Sequence, residues 1–181
     1  MPFPKNRKYT AEEYFNENPE TNRHIELRDG EIVSLASPSV IHQRISGGIY
    51  RKIGNFIDSN NGKCEPFISP LDVRLDDYNV VQPDIFVICD PSKFDNKRCY
   101  GAPDWTIEVL SENRKDDLIN KLALYQEHGV REYWIVDPKN EKTLVYFFEQ
   151  SDFPSIYTFD TAIPVGIYGG ELSINIKDLI R

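Results

Sequence analysis

The run Trp105-Thr106-Ile107-Glu108-Val109-Leu110 constrains this chain more than any other segment. Its branched and aromatic residues favour a strand. The two-residue period puts Trp105, Ile107 and Val109 on one face and Thr106, Glu108 and Leu110 on the other. Neither face is suited to open solvent, so the strand belongs inside a sheet and carries a carboxylate in with it. An ionised carboxylate in such company is costly unless a cation or several hydrogen bonds compensate it.

The rest of the chain supplies partners for that strand. Leu71 to Leu75, Asp84 to Ile88, Tyr133 to Val136, Thr143 to Phe148, Ser155 to Phe159 and Leu172 to Ile174 have strand patterns. Ile25 to Leu27 and Ile32 to Leu35 flank Asp29-Gly30, a strong hairpin signal. Ile41, Ile45, Ile49, Ile53, Phe56 and Ile57 recur with helical spacing, predicting an amphipathic helix over roughly 39 to 58. Thr10 and Glu13 form a capping box for a short helix through about Phe15. A further helix covers 116 to 128, closed by Gly129. At 181 residues, 40% hydrophobic and without internal repeats, the chain is expected to form one domain, 1–181. Strands interrupted by two substantial helices predict an α+β fold, α/β-like, with a central mixed sheet flanked by helices.

Asp84 raises the same question as Glu108. It follows Pro83, which cannot donate to a ladder and so starts or bends the strand, and it shares a face with Phe86 and Ile88. Two acids on neighbouring apolar strands could converge on one Mg²⁺ or Mn²⁺, ions that take hard oxygen ligands. Asp84 capping a turn and Glu108 accepting backbone hydrogen bonds is the alternative. Lys121 lies at the margin of the apolar stripe formed by Leu118, Leu122 and Tyr125. It could reach into such a site, cover apolar surface with its stem, or pair with Asp117. For Glu26, Asp72 and His42 the pattern alone favours ordinary roles: a hairpin carboxylate, a strand carboxylate and a packing or capping histidine.

Composition narrows the partners. With 21 Lys and Arg against 29 Asp and Glu the net charge is −8, which excludes a broad basic surface and leaves room for a local one built from Arg44, Arg51, Lys52, Arg114 and Lys115. The alternative for these five is an ordinary solvated face. Cys64, Cys89 and Cys99 are odd in number and have no C-x-x-C spacing, so free thiols in a reducing compartment are expected rather than a disulfide or a zinc site. The absence of a leader-like or membrane-length apolar run predicts a cytoplasmic protein with no membrane partner.

A wider combination carries a resemblance: His24-Ile25-Glu26-Leu27 with Asp29-Gly30-Glu31, His42, Pro83-Asp84, Glu108-Val109-Leu110-Ser111, Asp117 with Lys121, and Gly129-Val130-Arg131-Glu132-Tyr133-Trp134-Ile135-Val136-Asp137-Pro138. From about Tyr9 to Leu172 the chain resembles the Uma-two family of restriction endonuclease-like proteins, a branch of the PD-(D/E)XK nuclease superfamily. The resemblance implies a restriction-endonuclease-like core and metal binding by Asp84 and Glu108. It also implies a supporting acid at Glu26, serving as a further metal or water ligand. The superfamily's usual E-x-K is broken here, with Leu110 in the lysine slot. Lys121 matches the lysine that this family carries on the following helix, and Glu112 stands where a proline is common.

The function expected from these residues is metal-dependent hydrolysis of phosphodiester bonds in DNA. Asp84, Glu108, Lys121 and Glu26 are its catalytic set, Mg²⁺ or Mn²⁺ its cofactor, and a homodimer a plausible assembly. The alternatives are a catalytically silent nuclease-fold module that binds nucleic acid or protein, and a hydrolase of another phosphate ester.

Overall fold

The computed structural model describes residues 7–18, 24–111 and 117–180. The first helix, α1 (Ala11–Glu17), starts at the predicted capping box: Thr10 Oγ1 accepts from Glu13 N and Glu13 Oε2 accepts from Thr10 N. The hairpin of β1 (Ile25–Arg28) and β2 (Glu31–Ser34) turns at Asp29 (φ 48°) and Gly30 (φ 78°), the left-handed pair that a two-residue hairpin turn requires.

Helix α2 (Val40–Ser59) is capped by Ser39, whose side chain accepts from His42 N. Ile45, Ile49, Ile53 and Ile57 line one face at four-residue spacing and are buried. Each contributes roughly 1.5–3 kcal/mol of burial. That face lies on a six-stranded mixed sheet.

The sheet contains β3 (Glu65–Ile68), β6 (Ile85–Ile88), β8 (Trp105–Val109), β9 (Glu132–Asp137), β10 (Lys142–Phe147) and β11 (Ser155–Thr158), in the order β11-β10-β9-β8-β6-β3. Only β8 and β9 run parallel, and α3 (Asp117–Glu127) lies between them in the chain. All five β8 residues are buried, as the alternating run predicted. Trp105, Ile107 and Val109 join the α2 core, where Trp105 and Trp134 meet edge to face at 4.9 Å. The opposite face receives α3 through Tyr125, which packs on Tyr133 at 4.9 Å. Gly129 (φ 85°) ends the α3 segment in the left-handed conformation that glycine tolerates best.

A second sheet shares that opposite face. It joins β1 and β2 to β5 (Val80–Val81), β4 (Val73–Arg74) and β7 (Cys99–Tyr100), in the order β2-β1-β5-β4-β7. Val73 and Val81 pack with Phe86 and Ile88 of the large sheet. The strand predicted over Leu71 to Leu75 shortens to β4 because Leu75 N turns back to Asn79 O at 2.9 Å. At the C-terminal end, β12 (Ile163–Pro164) pairs with β13 (Ser173–Ile174).

The cysteines correct one expectation. Cys64 and Cys89 are joined in a disulfide, and Cys99 is a buried free thiol. The β3–β6 register pairs Glu65 with Ile88, so one step further it sets residues 64 and 89 opposite each other. Cysteine count and spacing do not encode that cross-strand pairing. No helix among the described residues is long and apolar enough to cross a membrane.

Candidate active site

The β6–β8 register pairs Ile85 with Ile107, and continued by one residue it sets Asp84 against Glu108. Pro83, with no N–H to give, precedes β6 and leaves Asp84 at the open end of the ladder. Asp84 Oδ2 accepts from Val109 N at 2.8 Å and lies 3.0 Å from His42 Nε2, so a loop residue is tied to both β8 and α2. His42 Nδ1 in turn lies 3.4 Å from Ser46 Oγ, one helical turn on.

Glu108 points to the α3 side. Its Oε1 accepts from Lys121 Nζ at 2.7 Å and from Tyr125 OH at 2.8 Å, two donors one turn apart on α3. Lys121 is 2% exposed, which removes the solvated-lysine alternative. Its second acid is Glu26 of β1: Lys121 Nζ donates to Glu26 Oε1 at 3.0 Å. Glu26 is sealed from solvent, and both its oxygens are engaged. Oε1 also accepts from Gln82 N at 2.9 Å, and Oε2 takes Arg28 through Nε at 2.7 Å and through a second guanidinium nitrogen.

The electrostatics follow from this pairing. Burial works against ionising Glu26, but Lys121, Arg28 and the Gln82 N–H outweigh it and hold the carboxyl down at about 2. Burial also pulls down the Lys121 ammonium, yet Glu108 and Glu26 more than offset it, and the lysine stays above its ordinary range. Glu108 goes the other way. Burial, with Asp84 and Glu26 close by, raises its carboxyl despite Lys121. Burial, then the charges of Glu108 and Glu26, lift the Tyr125 hydroxyl well above its usual range, so it remains a donor.

A cavity of about 270 Å³ opens on this end of the sheet, lined by Asp84, Gln82, His42, Ser69 and Ser111 among others. A neighbouring cleft of about 560 Å³ shares Ser111 and continues past Leu110 to Asp137 and Lys139.

The fold matches known proteins. A family model, Uma2, described as "Putative restriction endonuclease", matches residues 11–163. The chain belongs to the Uma2 family. A solved structure from Anabaena variabilis ATCC 29413, titled as a putative nuclease belonging to DUF820, superimposes with a TM-score of 0.76 at 27% identity, covering 94% of this chain and 97% of that one. No curated protein matches the chain.

Within this Uma2 chain, the hydrogen bonds from the described residues to the Asp84 carboxylate all reach Oδ2 and those to the Glu108 carboxylate all reach Oε1. The second oxygen of each acid accepts none from the described residues. Ser111 Oγ, on the cavity, is buried without a partner among them. Two acids that the strand register sets at opposite positions, each with one oxygen uncommitted among the described residues, fit a hard divalent cation that completes its shell with water and substrate. Among the described residues no group of three or more His, Cys, Asp or Glu side chains forms a ready cage. Glu26 is at the site, but it faces Lys121 and Arg28 with both oxygens rather than the cavity.

Other sequence candidates fall elsewhere. Asp72 is buried and serves the scaffold, its Oδ1 accepting from Gln82 Nε2 at 3.0 Å and lying 3.2 Å from the Tyr14 hydroxyl of α1. Arg44, Arg51 and Lys52 are exposed on α2, whereas Arg114, Lys115 and Glu112 lie outside the described residues, as does the side chain of Asp117. Sequence reasoning missed Tyr125, Arg28 and the His42 contact as parts of the site. Spacing holds the signal for two of them: Tyr125 follows Lys121 by one helical turn, and Arg28 follows Glu26 by one strand period.

Proposed function

We propose that this chain is a metal-dependent endonuclease that hydrolyses phosphodiester bonds in DNA. One observation carries the reading. The β6–β8 register, continued by one residue, sets Asp84 opposite Glu108, each acid has a carboxylate oxygen uncommitted among the described residues, and a buried, charged lysine rests on Glu108. A purely structural domain gains little from that arrangement, since apolar residues of similar volume usually serve as well as a buried ion pair.

Asp84 and Glu108 would hold Mg²⁺ or Mn²⁺. When bound, such an ion polarises the phosphate and lowers the pKa of water. Lys121 supplies fixed charge: held protonated by two carboxylates, it orients the attacking water and opposes the negative charge that grows on the phosphoryl oxygens. It does not act as the base. Two of its three N–H groups are committed to Glu26 and Glu108, which leaves one to turn toward substrate. Glu26 is a positioning residue, because it keeps the ammonium in place and is itself fixed by Arg28 and Gln82 N.

A chain of net charge −8 gains affinity for DNA only from a local positive surface. The exposed Arg44, Arg51 and Lys52 of α2 supply one, on the helix whose first turns border the cavity. A homodimer would let two such sites address the two strands.

The test is cleavage of supercoiled and single-stranded DNA at low salt with Mg²⁺ or Mn²⁺. The wild type is expected to cut, chelation with EDTA to stop it, and Asp84→Asn and Lys121→Met to lose activity. Cleavage of a small phosphodiester with both DNA forms untouched would favour another phosphate ester. A wild type as inert as Asp84→Asn on every substrate would leave the silent module.

A further inference from the structure

His42 has no part in the reaction outlined above, yet its contacts are specific. The ring is 6% exposed on α2, and Nε2 lies 3.0 Å from Asp84 Oδ2. A carboxylate oxygen only accepts, so Nε2 carries the proton and donates. Ser46 Oγ, 3.4 Å from Nδ1 and also buried, braces the other side of the ring. The Ser39 cap fixes where the helix begins, and thereby the height of His42 against the sheet.

The effect on Asp84 is directional. Its Oδ2 receives two N–H groups, one from the α2 histidine and one from Val109 in β8, while Oδ1 receives none from the described residues. Two donors from different elements restrict both the position and the rotation of a carboxylate that sits outside the sheet ladder. With only the Val109 N–H, the carboxylate could swing about that single bond. With both, the orientation of the Asp84 carboxylate is fixed at the cavity that Asp84, His42, Ser46 and Ser111 line, with Oδ1 left uncommitted among the described residues.

We infer that His42, braced by Ser46, is a positioning residue that orients Asp84 for a divalent cation. The inference rests on the reading of Asp84 as a cation ligand. It follows from a general property of metal sites: groups that hydrogen-bond a ligating carboxylate fix its orientation, and losing one typically costs about 10–100-fold in metal affinity. His42 does not touch the ion or the substrate in this role.

The test uses Mn²⁺ itself, titrated into the full-length protein and followed by the electron paramagnetic resonance signal of the free ion. His42→Leu keeps the bulk and removes the donor. His42→Gln places an amide N–H close to where Nε2 stood. His42→Leu is expected to bind Mn²⁺ about ten-fold or more weakly, and His42→Gln to recover most of that loss. Equal binding by wild type and His42→Leu overturns the inference, and so does equal weakening in His42→Leu and His42→Gln, because the donated hydrogen bond would then not be what matters. If His42→Leu fails to fold, Ser46→Ala serves instead: a weaker Mn²⁺ affinity supports the brace, and an unchanged one refutes it. Asp84→Asn separates the two levels. Its failure to weaken Mn²⁺ binding would remove the cation-site reading as a whole, whereas loss in Asp84→Asn with none in the His42 variants would remove only the positioning role.

Discussion

Lys121 Nζ lies 2.7 Å from Glu108 Oε1, and both side chains are almost closed off from solvent. The same nitrogen is 3.0 Å from Glu26, so one ammonium balances two buried acids contributed by separate sheets. Each acid depends on the other elements being in place, which makes the site a tie between α3, the large sheet and the β1 hairpin.

Removing the cation should therefore cost more than a surface lysine would. Lys121→Met leaves two carboxylates buried without their shared partner, and breaking a buried pair in this way costs about 3–5 kcal/mol. Urea unfolding at neutral pH should show that loss. Lys121→Met combined with Glu26→Gln should lose less than the sum of the single variants, because both changes break the same Lys121–Glu26 pair.

Acid stability should report on Glu26. Its folded pKa lies below that of the unfolded chain, so the fold favours the ionised form. The resulting stabilisation is complete above about pH 4.5 and fades as pH falls toward 2. Unfolding free energies measured from pH 6 to pH 3 should drop more steeply for wild type than for Glu26→Gln. Parallel curves would mean that Glu26 is not held ionised by its partners.

A second titration works in the opposite sense. His128 Nδ1 faces Leu124 O at 2.8 Å and Nε2 faces Asp76 Oδ2 at 2.7 Å. Both partners are acceptors, so both ring nitrogens must donate and the ring is cationic. Burial opposes that charge, but Asp76 and the Leu124 carbonyl overcome it and raise the histidine. The stabilisation is fully present below about pH 6.5 and is lost as pH rises through the folded pKa. For a partly exposed pair, it should be worth no more than about 1 kcal/mol. His128→Gln should flatten the fall in melting temperature between pH 6 and pH 8.

Tyr125→Phe isolates one hydrogen bond of the site. It keeps the ring that packs on Tyr133 and deletes the donor to Glu108 Oε1, which retains Lys121. The expected cost is about 1 kcal/mol of stability, with DNA cleavage reduced but not abolished.

The sequence carried the large sheet except for its edge strand β3, because the other five strands have strand patterns. Trp105 to Leu110 declared both of its faces, and the isoleucines of α2 marked the side that covers one of them. In the second sheet the β1–β2 hairpin and a strand over β4 were legible, but β5 and β7, two residues long and without alternation, were not, and neither was the way the five strands join. That sheet decides the environment of Glu26, which reads locally as an exposed hairpin acid and becomes sealed where β1 meets β5 through Leu27 and Val80. Lys121 was ambiguous for a related reason: a helix margin does not reveal which acids lie opposite it. The Cys64–Cys89 pairing and the His42–Asp84 contact likewise depend on neighbours 25 and 42 residues away in the chain.

The proposed cation site needs both Asp84 and Glu108. Calorimetric titration of Mn²⁺ into wild type and into the Asp84→Asn, Glu108→Gln double variant tests it most directly. Saturable binding in the wild type that vanishes in the double variant is the predicted result. No binding to wild type, or equal binding to both proteins, would contradict it.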